Sequence, residues 1–171
     1  MENQKNIIPK KNIERLKTQG FIGFSAEEIS AHQYGIRFAY WLCATTVLLG
    51  LIFKSIPILS IALLAAFGAV THSRHPFDYI YNYIVRYLFN KPKTPKRAIQ
   101  GKIACGLATL TIIGIILFFY NGNMIGGYIL GGILLSSALL VSTTDICIPS
   151  IAYKYLMENK LKPTLDNADN A

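Results

Sequence analysis

The chain has 171 residues, 52% of them hydrophobic and 15% charged, with a net charge of +8. That length makes one domain, and four long uncharged runs leave no separate soluble core to be built. The basic residues stand beside those runs without a nucleic-acid motif. The charge therefore points to anionic headgroups, which attract each nearby cation by about 1 kcal/mol, and excludes nucleic acid as partner.

Residues 1–25 read as a polar N-terminal tail, loosely ordered through residue 20. Ser25-Ala26-Glu27-Glu28 has the form of a capping box, and Phe24 and Ile29 hold the two positions of a hydrophobic staple. A short helix from Ala26 is predicted to lead into the first span, with Gly35 permitting a bend and Arg37 marking the membrane boundary. Residues 38–53 form span one. The chain turns at Lys54-Ser55, and span two covers 56–71, with Pro57 near the first helical position, where its missing N–H costs nothing. No secretory signal peptide is expected, because the first apolar run starts at residue 38 and lacks a small-residue cleavage site.

Phe77 to Asn90 reads as an amphipathic surface helix. Asp78, Asn82, Arg86 and Asn90 recur every four residues as a polar stripe, and tyrosines 79, 81, 83 and 87 suit the headgroup layer. Packing beneath the bundle is the alternative. Lys91 to Arg97, with Pro92 and Pro95, is a basic helix-breaking linker. Ile103 to Thr144 carries no charge and is about twice the ~20 residues one span needs. Asn121-Gly122-Asn123 divides it into spans at 103–120 and 124–144. Residues 157–171 form a polar C-terminal tail.

The expected fold class is all-α. It is a polytopic membrane domain over 26–156, with four transmembrane helices and an interfacial helix on the cytoplasmic side. Sixteen of the seventeen Lys and Arg fall in residues 1–37, 72–102 and the tail after Pro149, leaving Lys54 alone between spans. The positive-inside rule then places both termini in the cytoplasm.

The two hairpins resemble each other. Arg37-Phe38-Ala39 opens span one and Lys102-Ile103-Ala104 opens span three, with Thr46 and Thr111 at the same offset. His72 stands four residues before Pro76, and Asp145 four before Pro149. Such a repeat has its axis along the membrane normal. Gly122/Gly126 and Gly127/Gly131 are small-xxx-small pairs, and Ala104/Ala108 repeats the spacing. They predict close packing of span four, since small residues let backbones approach where lipid offers no hydrophobic drive. The partner is span three or another protomer.

The topology brings Arg37, His72, His75, Asp78, Asp145, Cys105 and Cys147 to similar depth. Asp145 near a span end needs a partner, and Arg37 or a histidine is the natural one. Asp78 is suited to capping the surface helix. His72, His75, Asp145 and Cys147 are candidate ligands of a mixed metal site, against a merely interfacial role for the histidines. Cys105 and Cys147 are candidate redox thiols, against a role as small apolar fillers. A structural disulfide is not expected in a reducing compartment, and no cofactor is implied.

Pro95-Lys96-Arg97 entering span three, and a cysteine-bearing turn followed by Tyr153 after span four, resemble a bacterial membrane family called domain of unknown function 4395. The resemblance covers most of 25–156 and implies no established activity. Members close on two cysteines separated by two residues. Here that position reads Cys147-Ile148-Pro149-Ser150, with one thiol, which tells against a dithiol function.

The leading expectation is a non-catalytic membrane scaffold or accessory subunit whose basic face meets lipid headgroups, as a homo-oligomer or with a membrane-complex partner. A thiol, redox or metal-binding protein is the alternative, and an oligomeric carrier or channel the third reading.

Overall fold

A computed structural model describes residues 8–21, 24–72, 74–96 and 98–156, and the C-terminal tail read at 157–171 lies outside them. The polar N-terminal segment is not loose where it is described. Lys10–Thr18 forms helix α1, whose Ile13 and Leu16 are buried with Phe21, Ile29 and Ile36 in a small cluster. An i, i+3 apolar pair on an otherwise polar helix is enough to dock it.

Helix α2, Ala26–Ile52, starts on the predicted capping box. The Ser25 hydroxyl accepts from the Glu28 N–H at 3.2 Å, and the Glu28 carboxylate accepts from the Ser25 N–H at 2.8 Å. Those two groups of Ser25 hold the Glu28 carboxyl below its usual range. At 27 residues α2 is about 40 Å long, more than a ~30 Å hydrocarbon core requires. The helix runs unbroken through Gly35. That glycine serves packing and not a bend: a Cβ there would collide with Tyr81 and Thr94.

After the turn at Lys54, whose φ is +49°, helix α3 spans Ile56–Thr71. Its 16 residues make about 24 Å, shorter than a typical core. The chain then breaks by 90° into a short helical segment, Pro76–Phe89. This segment comprises α4 (Pro76–Ile80), a π-helical turn (Tyr81–Val85) and α5 (Arg86–Phe89), and it ends on Asn90 in the left-handed conformation. The first half of its polar stripe points inward, while Arg86 is half-buried and Asn90 exposed. Asp78 and Asn82 are buried, whereas Tyr83, Ile84, Tyr87, Leu88 and Phe89 are at least 60% exposed. Asn82 pins the basic linker, accepting from the Thr94 N–H at 2.9 Å and donating to its hydroxyl at 2.8 Å.

Helix α6, Ile99–Tyr120, and helix α7, Met124–Thr144, follow with the predicted turn between them. Residues 148–156 are again helical. Helices α2, α6 and α7 are each long and apolar enough to cross a membrane, and α3 with its bent continuation makes a fourth candidate. The protein is an all-helical, multi-pass membrane protein.

Around the bundle, α2 packs on α3 and α7, and α6 packs on α3 and α7. The core between them holds Val47, Leu59, Ala62, Ala66, Ile112 and Ile115. Large side chains also face outward: Leu64 on α3, Leu110 on α6 and Ile129 on α7 are 60% or more exposed. Branched side chains on the outer face, and small ones such as Ala62 and Ala66 among the buried residues, suit a lipid solvent, where close approach of backbones holds helices together. The glycines divide accordingly. A Cβ on Gly126 or Gly127 would strike Phe118 or Phe119 of α6, and one on Gly131 would strike Leu51 of α2. Gly122 packs against nothing and instead takes φ +74° in the turn. The glycines of α7 therefore meet α6 and α2 of the same chain, and the Gly122/Gly126 pair is a turn residue followed by a packing residue.

Candidate functional site

Where α7 ends, Asp145 takes φ +57°, which Asp tolerates better than most residues. Its side chain is 1% exposed and forms a two-pronged ion pair with Arg37 of α2. Arg37 Nε lies 2.9 Å from Oδ1, and Nη2 lies 2.6 Å from Oδ2. The Gln33 amide donates to Oδ2 at 2.6 Å. One turn apart on one face, Gln33 and Arg37 thus saturate the carboxylate together.

Helix α1 repeats the device on the backbone. The Gln19 amide donates to the Asp145 carbonyl at 2.8 Å, and Arg15 Nη1 to the Thr144 carbonyl at 2.7 Å. The last carbonyls of a helix have no intrahelical donor, and here Arg15 of α1 and Gln19, the residue that caps its C-terminus, supply it. Three elements distant in sequence meet at one point.

The histidines do not join Asp145. His75 caps α4: its Nδ1 lies 3.2 Å from the Phe77 N–H, and the Asp78 carboxylate accepts the His75 N–H at 2.9 Å. Asp78 thus serves the helix start from the third helical position, and His75 in place of Asp78 takes the first-turn N–H. His72 is exposed at the end of α3, with Nδ1 2.9 Å from the Thr71 hydroxyl. The predicted cluster of Arg37, His72, His75, Asp78 and Asp145 therefore resolves into an ion-pair lock, a capping pair and a surface histidine. Among the described residues no group of three or more His, Cys, Asp or Glu is disposed to hold a metal.

The thiols do converge. A cavity of about 180 Å³ lies between α6, α7 and the inner face of α2, and Cys43, Cys105 and Cys147 all line it together with His75. Cys105 and Cys147 are buried. Ala104 and Ala108 form part of its wall, and Ala108 also packs against the core of the bundle.

Sequence reasoning named Arg37, Asp145, Cys105 and Cys147 but missed Arg15, Gln19, Gln33 and Cys43. The signal for the first three was present: Arg15/Gln19 and Gln33/Arg37 are cation–amide pairs at i, i+4, each presenting two donors on one face. Nothing in the spacing singled out Cys43.

A family model described as Domain of unknown function (DUF4395) matches residues 32–158. The chain belongs to this family. The matched region takes in Gln33, Arg37, Asp145 and all three cysteines, and leaves α1 outside it. No curated protein and no solved structure matches the chain.

Proposed function

We propose that this DUF4395 protein is a small, non-catalytic membrane scaffold or accessory subunit. In this reading four spans, built as two related hairpins, put both termini at the cytoplasmic face of a bacterial inner membrane. The segment Pro76–Phe89 lies in the interface there, and the basic linker behind it meets anionic headgroups or a partner subunit. The carrying observation is that segment's inverted amphipathicity. It turns 90° from α3, buries Asp78 and Asn82, and exposes a row of tyrosines and aliphatic side chains. Such a face is costly in water and suited to the headgroup–acyl boundary. Support for the repeat comes from the equivalent packing of α2 on α3 and α6 on α7, each hairpin followed by a short helix with proline in its first turn.

Nitroxide labels in a cysteine-free background test this. Labels at Tyr83 and Leu88 should be accessible to oxygen and shielded from a water-soluble nickel chelate, whereas one at Lys93 should be nickel-accessible. Equal nickel access at all three would refute the interfacial placement.

The convergence of three thiols on one cavity favours a second reading, thiol chemistry at Cys147 with Cys105. A working thiol must be a reachable thiolate, yet Cys147 is 4% exposed. Under the scaffold reading Cys147 alkylates far more slowly at pH 7 than an exposed cysteine in the intact membrane, and Cys147→Ala costs about 1 kcal/mol. Rapid alkylation at pH 7 would favour the thiol reading.

A further inference from the structure

We propose that the cavity between α6 and α7 binds one acyl chain of an anionic phospholipid from the cytoplasmic leaflet. This rests on the membrane-embedded reading above. The cavity runs along the cytoplasmic half of both helices, from Ala104 to Ile112 on α6 and from Ile133 to Val141 on α7. Its size, about 180 Å³, is far above the ~10–15 Å³ a single water requires. The wall is mostly aliphatic, and apolar cavities stay dry. Left empty, such a space forfeits the dispersion contacts of every atom lining it.

Its rim identifies the occupant. Leu107 and Ile133 line the cavity and are also 50% and 61% exposed. The opening is thus continuous with the outward surface of the spans, where Leu110 and Ile129 are 66% and 60% exposed. The medium at that surface is hydrocarbon chain. Farther along the wall the hydroxyls of Thr111 and Ser137 donate to carbonyls of their own helices, and His75 and Cys147 stand at one end of it. That end is also the basic one. Lys102 precedes Cys105 by three residues on one helical face. Arg74, adjacent to His75 in sequence, has a buried Nε with no hydrogen-bond partner. The last turn of α3 lies beside the first turns of α6, with Val70 3.9 Å from where a Gly106 Cβ would be. Arg74 and Lys102 therefore follow the two helices to the same corner. A chain in the cavity with its phosphate at this corner satisfies both the aliphatic wall and the two cations that follow these helices.

The full-length protein in vesicles of phosphatidylglycerol and phosphatidylethanolamine, with phosphatidylglycerol carrying a diazirine in mid-chain, tests the proposal. Photoadducts on Ala104–Ile112 and Ile133–Val141 should exceed those on Leu64 and Ile129 several-fold, and Ser137→Phe should abolish the excess while leaving Leu64 labelled. A probe with a phosphatidylcholine headgroup on wild-type protein should give much less cavity labelling. This comparison stands even if the Phe variant does not fold. Cavity adducts no more abundant than those at Leu64 would overturn the site, and equal labelling by phosphatidylcholine would overturn the anionic headgroup. Loss of lipid adducts everywhere, Leu64 included, would instead refute the membrane reading itself.

Discussion

Replacing Asp145 by alanine should destabilise the bundle by about 3–5 kcal/mol, the cost of leaving one member of a buried ion pair without its partner. Asp145 accepts from Arg37 through both oxygens and from Gln33 through one. Its removal strands a guanidinium whose side chain is only 28% exposed. Alanine would add the cost of a left-handed backbone, about 1–2 kcal/mol. Asp145→Asn keeps the tolerance for that conformation and isolates the charge. Arg37→Lys keeps the charge but not the fork geometry, so its loss should be intermediate. Thermal unfolding in mild detergent reads all three. In the double variant Arg37→Met/Asp145→Asn, the loss should fall well below the sum of the single losses, since no charge remains unpaired. Additive losses would mean that the pair is incidental.

Leucine at Gly127 or Gly131 should be comparably damaging. Gly127 lies against Phe119 of α6, and Gly131 against Leu51 of α2, so a branched side chain forces the helices apart at two contacts on one face of α7. Overpacking of this kind costs about 1–3 kcal/mol and sometimes more. Gly132 supplies the control. Nothing lies within 4 Å of a Cβ there, so Gly132→Leu should remain within about 0.5 kcal/mol of wild type. Apparent melting temperature and mobility in detergent check the prediction. Equal behaviour of the three variants would remove the distinction between packing and surface glycines.

What could be read from the residues follows from how local each signal is. The capping box at Ser25, the turn at Lys54-Ser55 and the turn at Asn121-Gly122-Asn123 are short-range devices, and they emerge where expected. The ion pair was half legible: a carboxylate at a span end demands a partner, and Arg37 was among the candidates. The inward turn of Asp78 and Asn82 was not legible. A four-residue period reveals a polar face, but near a membrane that face is buried as readily as it is solvated. Helices α3, α6 and α7 are apolar on every side, so periodicity carries no information about which side meets the cavity. The docking of α1 depends on Ile13 and Leu16 meeting Ile29 and Ile36 across a long sequence gap, and no local rule reports that.

Topology gives the most direct test, because α3 is short and breaks by 90° into the segment Pro76–Phe89. If α3 crosses the membrane, the crossings are even in number and the two ends share a side. If it only dips in and returns, the crossings are odd and the ends lie on opposite sides. A reporter active only outside the cytoplasm can be fused at residue 1, fused at residue 171, or inserted in the Asn121–Asn123 turn. Silence at both ends with activity at the turn is the predicted result; activity from either end would contradict the four-span arrangement.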